Sequence, residues 1–188
     1  MNHSGSKTLE TDRLILRAFV PGDAGAMFRN WAGDPEVTKY LTWPTHESES
    51  VSAHMTASWA EQSGNPKVYQ WAIVWKEIME PIGSISAVNM DEDLCQATIG
   101  YCIGKPWWHQ GVMTECFQAV IRYLFEEVGV NRITARHDVN NPHSGMVMKK
   151  CGLRYEGTLR QAGRNNQGIC DSSVYAILRQ DYEAAQIS

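Results

Sequence analysis

The sequence predicts one α+β domain, and three observations support this fold class. The chain has 188 residues, the size of one ordinary domain. Its 43% hydrophobic and 20% charged residues are typical of a globular protein. Its apolar pattern changes along the chain between the alternation of strands and the wider spacing of helices. We predict a polar N-terminal tail over residues 1–8 and the domain over residues 9–188.

The first elements alternate between strand and helix signals. Apolar and polar residues alternate over residues 9–19, which predicts a first strand. Pro21-Gly22-Asp23 ends this strand, and a helix through Met27 and Trp31 should follow. Asp34-Pro35 then supplies an N-cap and a first-turn proline for another short helix.

A longer helix is predicted over residues 45–62. Val51, Met55 and Trp59 recur every four residues, which places them on one helix face. Three strands with short links should follow, an order typical of an antiparallel meander: residues 69–76, 82–88 and 97–103. Pro81 is interpreted as a break before the second of these strands.

The pattern changes to a helical period after Gly111, where apolar residues recur on one face as far as Val128. Thr114 is predicted to cap this helix at its start and Gly129 at its end. The last elements are predicted as a strand, a helix from Asn141-Pro142 to Gly152 and two closing strands; the strands are residues 132–138, 153–159 and 171–179.

Composition excludes several classes of partner. The chain has 17 Lys+Arg and 21 Asp+Glu, a net charge of −4, and no basic block that would bind nucleic acid or an anionic membrane. No apolar run is long enough to span a bilayer, and the polar start has no signal core, so we expect a cytoplasmic protein. The five cysteines form no Cys-x-x-Cys pair and are expected to be reduced, and no metal site is predicted.

The segment from Ile99 to Cys116 is the first indication of chemistry. It is predicted as a strand, a tight turn at Gly111 and the start of an amphipathic helix. Free N–H groups at such a turn, with the positive end of the helix dipole, suit a pyrophosphate. The segment lacks the P-loop and G-x-G-x-x-G patterns, so neither a nucleoside triphosphate nor a dinucleotide site is indicated.

Four motifs resemble, in the same order, those of the GNAT superfamily of acyl-CoA-dependent N-acetyltransferases. They are Leu9-Glu-Thr-Asp-Arg-Leu-Ile-Leu-Arg17, Gln110-Gly-Val-Met-Thr-Glu115, Asn141-Pro-His-Ser144 with Lys150-Cys-Gly-Leu153, and Tyr155-Glu-Gly-Thr-Leu-Arg160. Within the superfamily the chain resembles most the branch that acetylates bacterial ribosomal-protein N-termini. The resemblance implies a mixed, mostly antiparallel central sheet flanked by helices, with a V-shaped cleft for acetyl-CoA.

The resemblance also implies how the donor would bind. The pantetheine of acetyl-CoA would pair with the backbone of Tyr101, Cys102 and Ile103 like an added strand. The pyrophosphate would contact the N–H groups of His109, Gln110, Gly111, Val112, Met113 and Thr114. Asn141 is the implied polar contact to the amide arm of the donor, although it is also a plausible N-cap before Pro142.

Transfer in this family proceeds by direct attack of a neutral amine on the thioester carbonyl, and the departing thiolate must be protonated or stabilised. Many members use a tyrosine seven residues after the motif asparagine, and this position is Met148 here. Ser144 is therefore expected to donate to the cofactor sulfur as well as to contact the donor. The alternative is that Ser144 only caps its helix.

The general base is left open. Gly163 stands where the related branch carries an acid, which leaves His137, at the end of a cleft-lining strand, as the side-chain candidate. Two alternatives are a His137 that only forms part of the cleft wall and a proton that passes to bulk water.

Tyr40 and Trp43 are predicted to line the acceptor pocket. The leading acceptor is a protein or peptide N-terminus, and a small-molecule amine is the second hypothesis. The third is a non-catalytic acyl-CoA-binding module. We expect a monomer or a homodimer with an amine-bearing acceptor, without nucleic acid, membrane or metal.

Overall fold

The structure, a computed structural model, describes residues 1–187 and is built on an eight-stranded sheet. The strands are β1 (Leu9–Glu10), β2 (Leu14–Arg17), β3 (Gln70–Trp75), β4 (Glu80–Asp91), β5 (Gln96–Ile103), β6 (Arg132–Asp138), β7 (Arg154–Asn165) and β8 (Gly168–Leu178). The α-helices are α1 (Ala24–Met27), α2 (Pro35–Thr38), α3 (Glu49–Gln62), α4 (Val112–Tyr123), α5 (Pro142–Lys150) and α6 (Arg179–Ile187). A π-helical turn extends α1 over Phe28–Ala32 and α4 over Leu124–Val128.

The strand order across the sheet is β1-β2-β3-β4-β5-β6-β8-β7. Neighbouring strands are antiparallel except for β5 and β6, which are parallel. This confirms the predicted α+β class and the mixed, mostly antiparallel sheet. The parallel pairing of β5 with β6 ends at Ile99 and Ala135, so the two strands separate beyond these residues. Their separation forms the V-shaped cleft.

The first strand was predicted as one element over residues 9–19, and this is wrong. It is a hairpin in which Leu9 pairs with Leu16. The cause is local: the Thr11 N–H donates to the Leu14 carbonyl, and the Leu14 N–H donates to Thr11 Oγ1, both at 3.0 Å. These two bonds close a turn where the alternating pattern suggested continuous strand.

Pro81 lies inside β4 rather than before it, which corrects the predicted break. Pro81 pairs with Val74 beside a register shift between Ile73 and Val74. An irregularity of this kind removes the need for the N–H group that proline lacks. The strands β7 and β8 are also longer than predicted, and α6 was not predicted.

Glycine ends the later helices as predicted. Gly129 closes the π-helical turn after α4 with φ of 82°, and Gly152 follows α5 with φ of 86°. Both angles lie in the left-handed region that glycine adopts without strain. The start of α4 differs from the prediction, because Gly111 and not Thr114 holds the N-cap position.

Helix α3 begins at Glu49 rather than at residue 45, and its packed face is shifted from the predicted one. Met55 and Trp59 do pack against the cluster of apolar side chains between the sheet and α1, but Val51 is 40% exposed. Ser52 and Thr56 are fully buried instead. The prediction used apolar positions alone, so it could not identify small polar side chains that are buried on this face.

The sheet separates two hydrophobic clusters. One lies between the sheet and α4 and includes Ile99, Phe117 and Ile133. The other lies between the opposite side of the sheet and α1, and it includes Trp31 and Cys102. Residues of β5 therefore alternate between the two sides.

The first seven residues lie against the domain. The Asn2 N–H donates to the Val128 carbonyl at 2.7 Å, and the Gln70 N–H donates to Ser6 Oγ at 2.7 Å. Trp71 Nε1 donates to the Lys7 carbonyl at 2.8 Å. The division of the chain at residue 9 stays a prediction. Within residues 1–187, no helix has the length and apolar character needed to cross a membrane.

We expect the stability of the fold to fall below neutral pH because of His46. This side chain is 8% exposed, its Nδ1 lies 2.8 Å from Ser52 Oγ, and burial lowers its pKa. A histidine with a lowered folded-state pKa binds fewer protons when folded, so acid favours the unfolded chain. The free energy of unfolding should therefore drop between about pH 7 and pH 5, and less so in His46→Asn.

Urea titrations over this pH range measure how steeply the free energy of unfolding changes with pH. The exposed His54 supplies the control, and equal slopes for His46→Asn and His54→Asn would contradict the prediction.

Candidate active site

The open edge of β5 is the first feature of the cleft. Beyond Ile99 this strand has β4 on one side and no strand on the other. The Gly104 N–H donates to the Ile82 carbonyl of β4 at 2.8 Å. Backbone groups alternate in direction along a strand, so those of Tyr101 and Ile103 point to the open side. An extended ligand can pair with them there.

The three predicted residues of β5 are therefore not equivalent. The backbone of Cys102 points to β4, its thiol lies 3.4 Å from Ser84 Oγ, and burial raises the pKa of the thiol. The carbonyl of Ile103 accepts from Trp108 Nε1 at 2.8 Å. The groups left for a ligand are the N–H and carbonyl of Tyr101 and the N–H of Ile103.

The loop between β5 and α4 presents a row of free donors. In the part of the chain that the structure describes, no acceptor is found for the N–H groups of the predicted phosphate contacts: His109, Gln110, Gly111, Val112, Met113 and Thr114. The first satisfied donor is the Glu115 N–H, 3.0 Å from the Gly111 carbonyl. Gly111 has φ of 74°, and among residues 1–187, its chain neighbours aside, the tip of Arg13 alone lies within 4 Å of where its Cβ would be. Free N–H groups at the positive end of α4 suit phosphate oxygens.

The other wall of the cleft is the first turn of α5, which Tyr101 ties to β5. The Tyr101 hydroxyl donates to the Ser144 carbonyl at 2.9 Å, and burial raises the pKa of this hydroxyl well above its ordinary value. Asn141 makes no side-chain cap bond, and its Nδ2 lies 3.5 Å from Ser144 Oγ. Both polar side chains predicted to contact the donor therefore lie together, with weak mutual contact.

His137 lies on the α5 side of the sheet. Its Nδ1 is 2.8 Å from the Asp138 carbonyl, and its ring lies 5.6 Å from that of Tyr175. Nε2 is buried without a hydrogen-bond partner among residues 1–187, and a Cβ on Gly145 would come within 2.5 Å of it. Neither nitrogen faces open space, which favours a wall position over proton transfer.

Two histidines, His109 and His143, are in contact across the cleft. Only His109 was among the predicted site residues. The His109 ring on the loop and the His143 ring on α5 lie 4.8 Å apart at an angle of 78°. His143 occupies the second position of α5, next to Ser144. The pair joins the loop before α4 to the start of α5.

The predicted acceptor residues lie on the loop that follows α2. Trp43 packs against the cluster between the sheet and α1. The ammonium of Lys39 lies over the ring of Tyr40, 5.1 Å from the ring centroid. Asn166, in the turn between β7 and β8, donates from Nδ2 to the carbonyls of Thr38 and Trp43, both at 2.8 Å. The sequence did not predict these two bonds, which hold the loop against the far edge of the sheet.

Asp138, at the end of β6, is a carboxylate held by residues around the cleft, whereas position 163 carries no acid. Asp138 accepts from the Asn140 N–H at 2.8 Å and from Asn165 Nδ2 at 2.7 Å. Burial alone raises the pKa of Asp138, but these hydrogen bonds outweigh it and hold the pKa below its ordinary value. A Cβ on Gly163 would lie 2.9 Å from Cys170 Sγ, so a side chain fits there only if Cys170 moves.

A sheet that opens beside a helix start with free N–H groups can hold an extended thioester and a pyrophosphate together, which is what an acyl-CoA-dependent acyltransferase requires. Residues 13–154 match the family model described as an acetyltransferase (GNAT) domain, so the chain belongs to the GNAT acetyltransferases. It is an N-acetyltransferase that uses acetyl-CoA. Within the described residues, no group of three or more potential metal ligands is found.

Relatives and solved structures agree with this assignment. The chain is 33% identical over 171 residues to YoaA of Bacillus subtilis (strain 168), an N-acetyltransferase, covering 91% of this chain and 96% of that one. It is 28% identical over 139 residues to the ribosomal-protein-serine acetyltransferase of Escherichia coli (strain K12), covering 72% and 75%.

Two solved structures show the same fold. RimL, a ribosomal L7/L12 alpha-N-protein acetyltransferase in complex with coenzyme A, has a TM-score of 0.81 at 20% identity, covering 92% of this chain and 98% of that one. The microcin C7 self-immunity acetyltransferase MccE, in complex with acetyl-CoA and AMP, has a TM-score of 0.79 at 22% identity, covering 89% and 93%.

Proposed function

We propose that this enzyme acetylates the α-amine of a protein or peptide N-terminus. The observation that carries the chemistry is the open edge of β5 next to the free N–H groups before α4 and to Ser144. The acceptor class is supported by the ribosomal-protein acetyltransferase from Escherichia coli among the relatives. A small-molecule amine is the second candidate, because the fold is shared with MccE, which was solved with AMP.

In this proposal the donor lies along the open edge of β5. The backbone of Tyr101 and Ile103 would bond the pantetheine, and the N–H groups from His109 to Thr114 would bond the pyrophosphate. Asn141, whose amide makes no cap bond, would contact the amide arm. Acetyl-CoA supplies an activated acyl group, and the residues of the cleft supply its position.

Ser144 is proposed as the proton donor. The acceptor nitrogen bonds to the carbonyl carbon and the C–S bond breaks, so the sulfur must gain a proton and the nitrogen must lose one. Ser144 Oγ would pass a proton to the sulfur as it takes one from solvent, so the hydroxyl is restored and the proton that the amine releases to solvent balances the step. We assign the amine proton to solvent, since both nitrogens of His137 are turned away from open space. His137 then positions the first turn of α5.

On the acceptor side, Tyr40 and Trp43 are proposed as wall residues, with Asn166 holding their loop in place. Asp138 would remain an anion at neutral pH, because its pKa is held low. A carboxylate of this kind attracts an ammonium group but is a weak base.

We also propose a cytoplasmic location, in keeping with the acetyl donor and with cysteines that are all free in the described chain. The proposed assembly is a monomer or a homodimer, which light scattering measures directly. Neither nucleic acid nor membrane has a part in the proposal.

The test is release of the coenzyme A thiol from acetyl-CoA with a panel of acceptors. Peptides that differ in their first residue are paired with the same peptides blocked at the N-terminus, and small amines form a separate group. We expect turnover with some free peptides and none with their blocked forms. Turnover confined to small amines would contradict the peptide acceptor. Coenzyme A binding without turnover on any acceptor would indicate a binding module.

A further inference from the structure

Glu115 connects the hairpin of β1 and β2 to the first turn of α4. Its carboxylate accepts from Thr11 Oγ1 at 2.6 Å, from the Arg13 N–H at 3.0 Å and from Arg13 Nε at 2.7 Å. The two partners lie more than 100 residues before it in the chain. The first and second motifs of the sequence thus meet at one carboxylate.

Most of the Arg13 guanidinium is fixed by the protein. Nε bonds Glu115, Nη1 donates to the Gln110 carbonyl at 3.0 Å, and Cζ lies 5.5 Å from the centroid of the Trp75 ring. Nη2 lies 3.8 Å from the place where a Cβ on Gly111 would be. Among residues 1–187, no acceptor is found for Nη2, and 39% of the side chain is exposed.

The negative charge of Glu115 holds the positively charged Arg13 side chain in place. Burial alone raises the pKa of Glu115, but the hydrogen bonds from Thr11 and Arg13 outweigh it, so the pKa lies below its ordinary value. Glu115 is therefore ionised at neutral pH and holds Arg13 in one orientation. An arginine fixed in this way loses little side-chain entropy when it bonds an anion, and its planar donors match phosphate oxygens.

We propose that Arg13 is a phosphate-binding residue of the donor site and that Glu115 positions it. Nη2 would donate to an oxygen of the diphosphate ester while the N–H groups near Gly111 bond the others. This inference rests on the proposed placement of the donor. It adds a side-chain cation to a phosphate-binding loop otherwise built from backbone, and the cation comes from a hairpin outside the loop.

The test is calorimetric binding of coenzyme A and of dephospho-coenzyme A, with pantetheine binding followed by ligand-observed NMR. In Arg13→Gln, both diphosphate ligands should bind roughly tenfold more weakly, the effect of one charge-assisted hydrogen bond, and pantetheine should bind as before. The loss should shrink as salt is added, because ions screen the partly exposed charge. Arg29→Gln is the matched control, since Arg29 forms a similar surface pair with Glu80 at 3.1 Å.

Each outcome has a separate meaning. Failure of the wild-type protein to bind coenzyme A would overturn the proposed function itself. Normal coenzyme A affinity in Arg13→Gln, with wild-type binding intact, would overturn only the role of Arg13. Arg13→Lys keeps the charge but not the fork of donors, so it should recover part of the affinity. An Arg13→Lys protein that melts like the wild type yet binds as weakly as Arg13→Gln would show that Arg13 only shapes the loop.

Discussion

Turnover of the Ser144→Ala enzyme should fall by roughly 100-fold, the lower range for loss of a general acid, while the Kd for acetyl-CoA stays within about twofold. The reason is the position of Oγ. It lies in the first turn of α5, which the Tyr101 hydroxyl ties to β5, and it accepts from Asn141 Nδ2 at 3.5 Å. Among residues 1–187 no acceptor is found for this hydroxyl, so it is free to donate to a ligand. Steady-state thiol release measures kcat, and calorimetry measures donor binding.

Two variants make this result specific. Ser50→Ala makes the same chemical change on the exposed face of α3 and should leave turnover unchanged. Tyr101→Phe removes the neighbouring hydroxyl, which already donates to the Ser144 carbonyl, and should lower turnover less than Ser144→Ala does. Full activity in Ser144→Ala combined with a large loss in Tyr101→Phe would transfer the role of proton donor to Tyr101.

The sequence predicts best those elements whose signals are local. Gly129 and Gly152 end their helices, as the lack of a Cβ at positive φ allows. The change of period after Gly111 identified α4, which begins at Val112. The turn at Thr11 was not predicted, because it depends on a side-chain hydrogen bond inside an otherwise alternating segment.

Of the candidate site, the part built from backbone was predictable. A strand, a glycine and a helix start follow one another within residues 99–116, and they predict the loop of free N–H groups before α4. Arg13 with Glu115, and Asn166 with the loop after α2, were not predictable, since each joins residues about 100 or more positions apart. Such contacts exist only once the sheet has assembled, and no spacing in the chain encodes them.

Gly111→Val should weaken acetyl-CoA binding by about 100-fold or more. Gly111 has φ of 74°, where a β-branched residue is strained, so valine should rotate the peptide and turn N–H groups away from the phosphates. Loss of two charge-assisted hydrogen bonds, about 1.5–3 kcal/mol each, accounts for this factor. Gly129 is the matched control: it has φ of 82° and room for a side chain, as Gly111 does apart from the tip of Arg13 at 3.8 Å, but it lies at the opposite end of the helix. Gly129→Val should therefore cost similar stability in thermal melts and leave the Kd unchanged. If calorimetry gives the two variants the same Kd, the free N–H groups before α4 do not bind the donor phosphates.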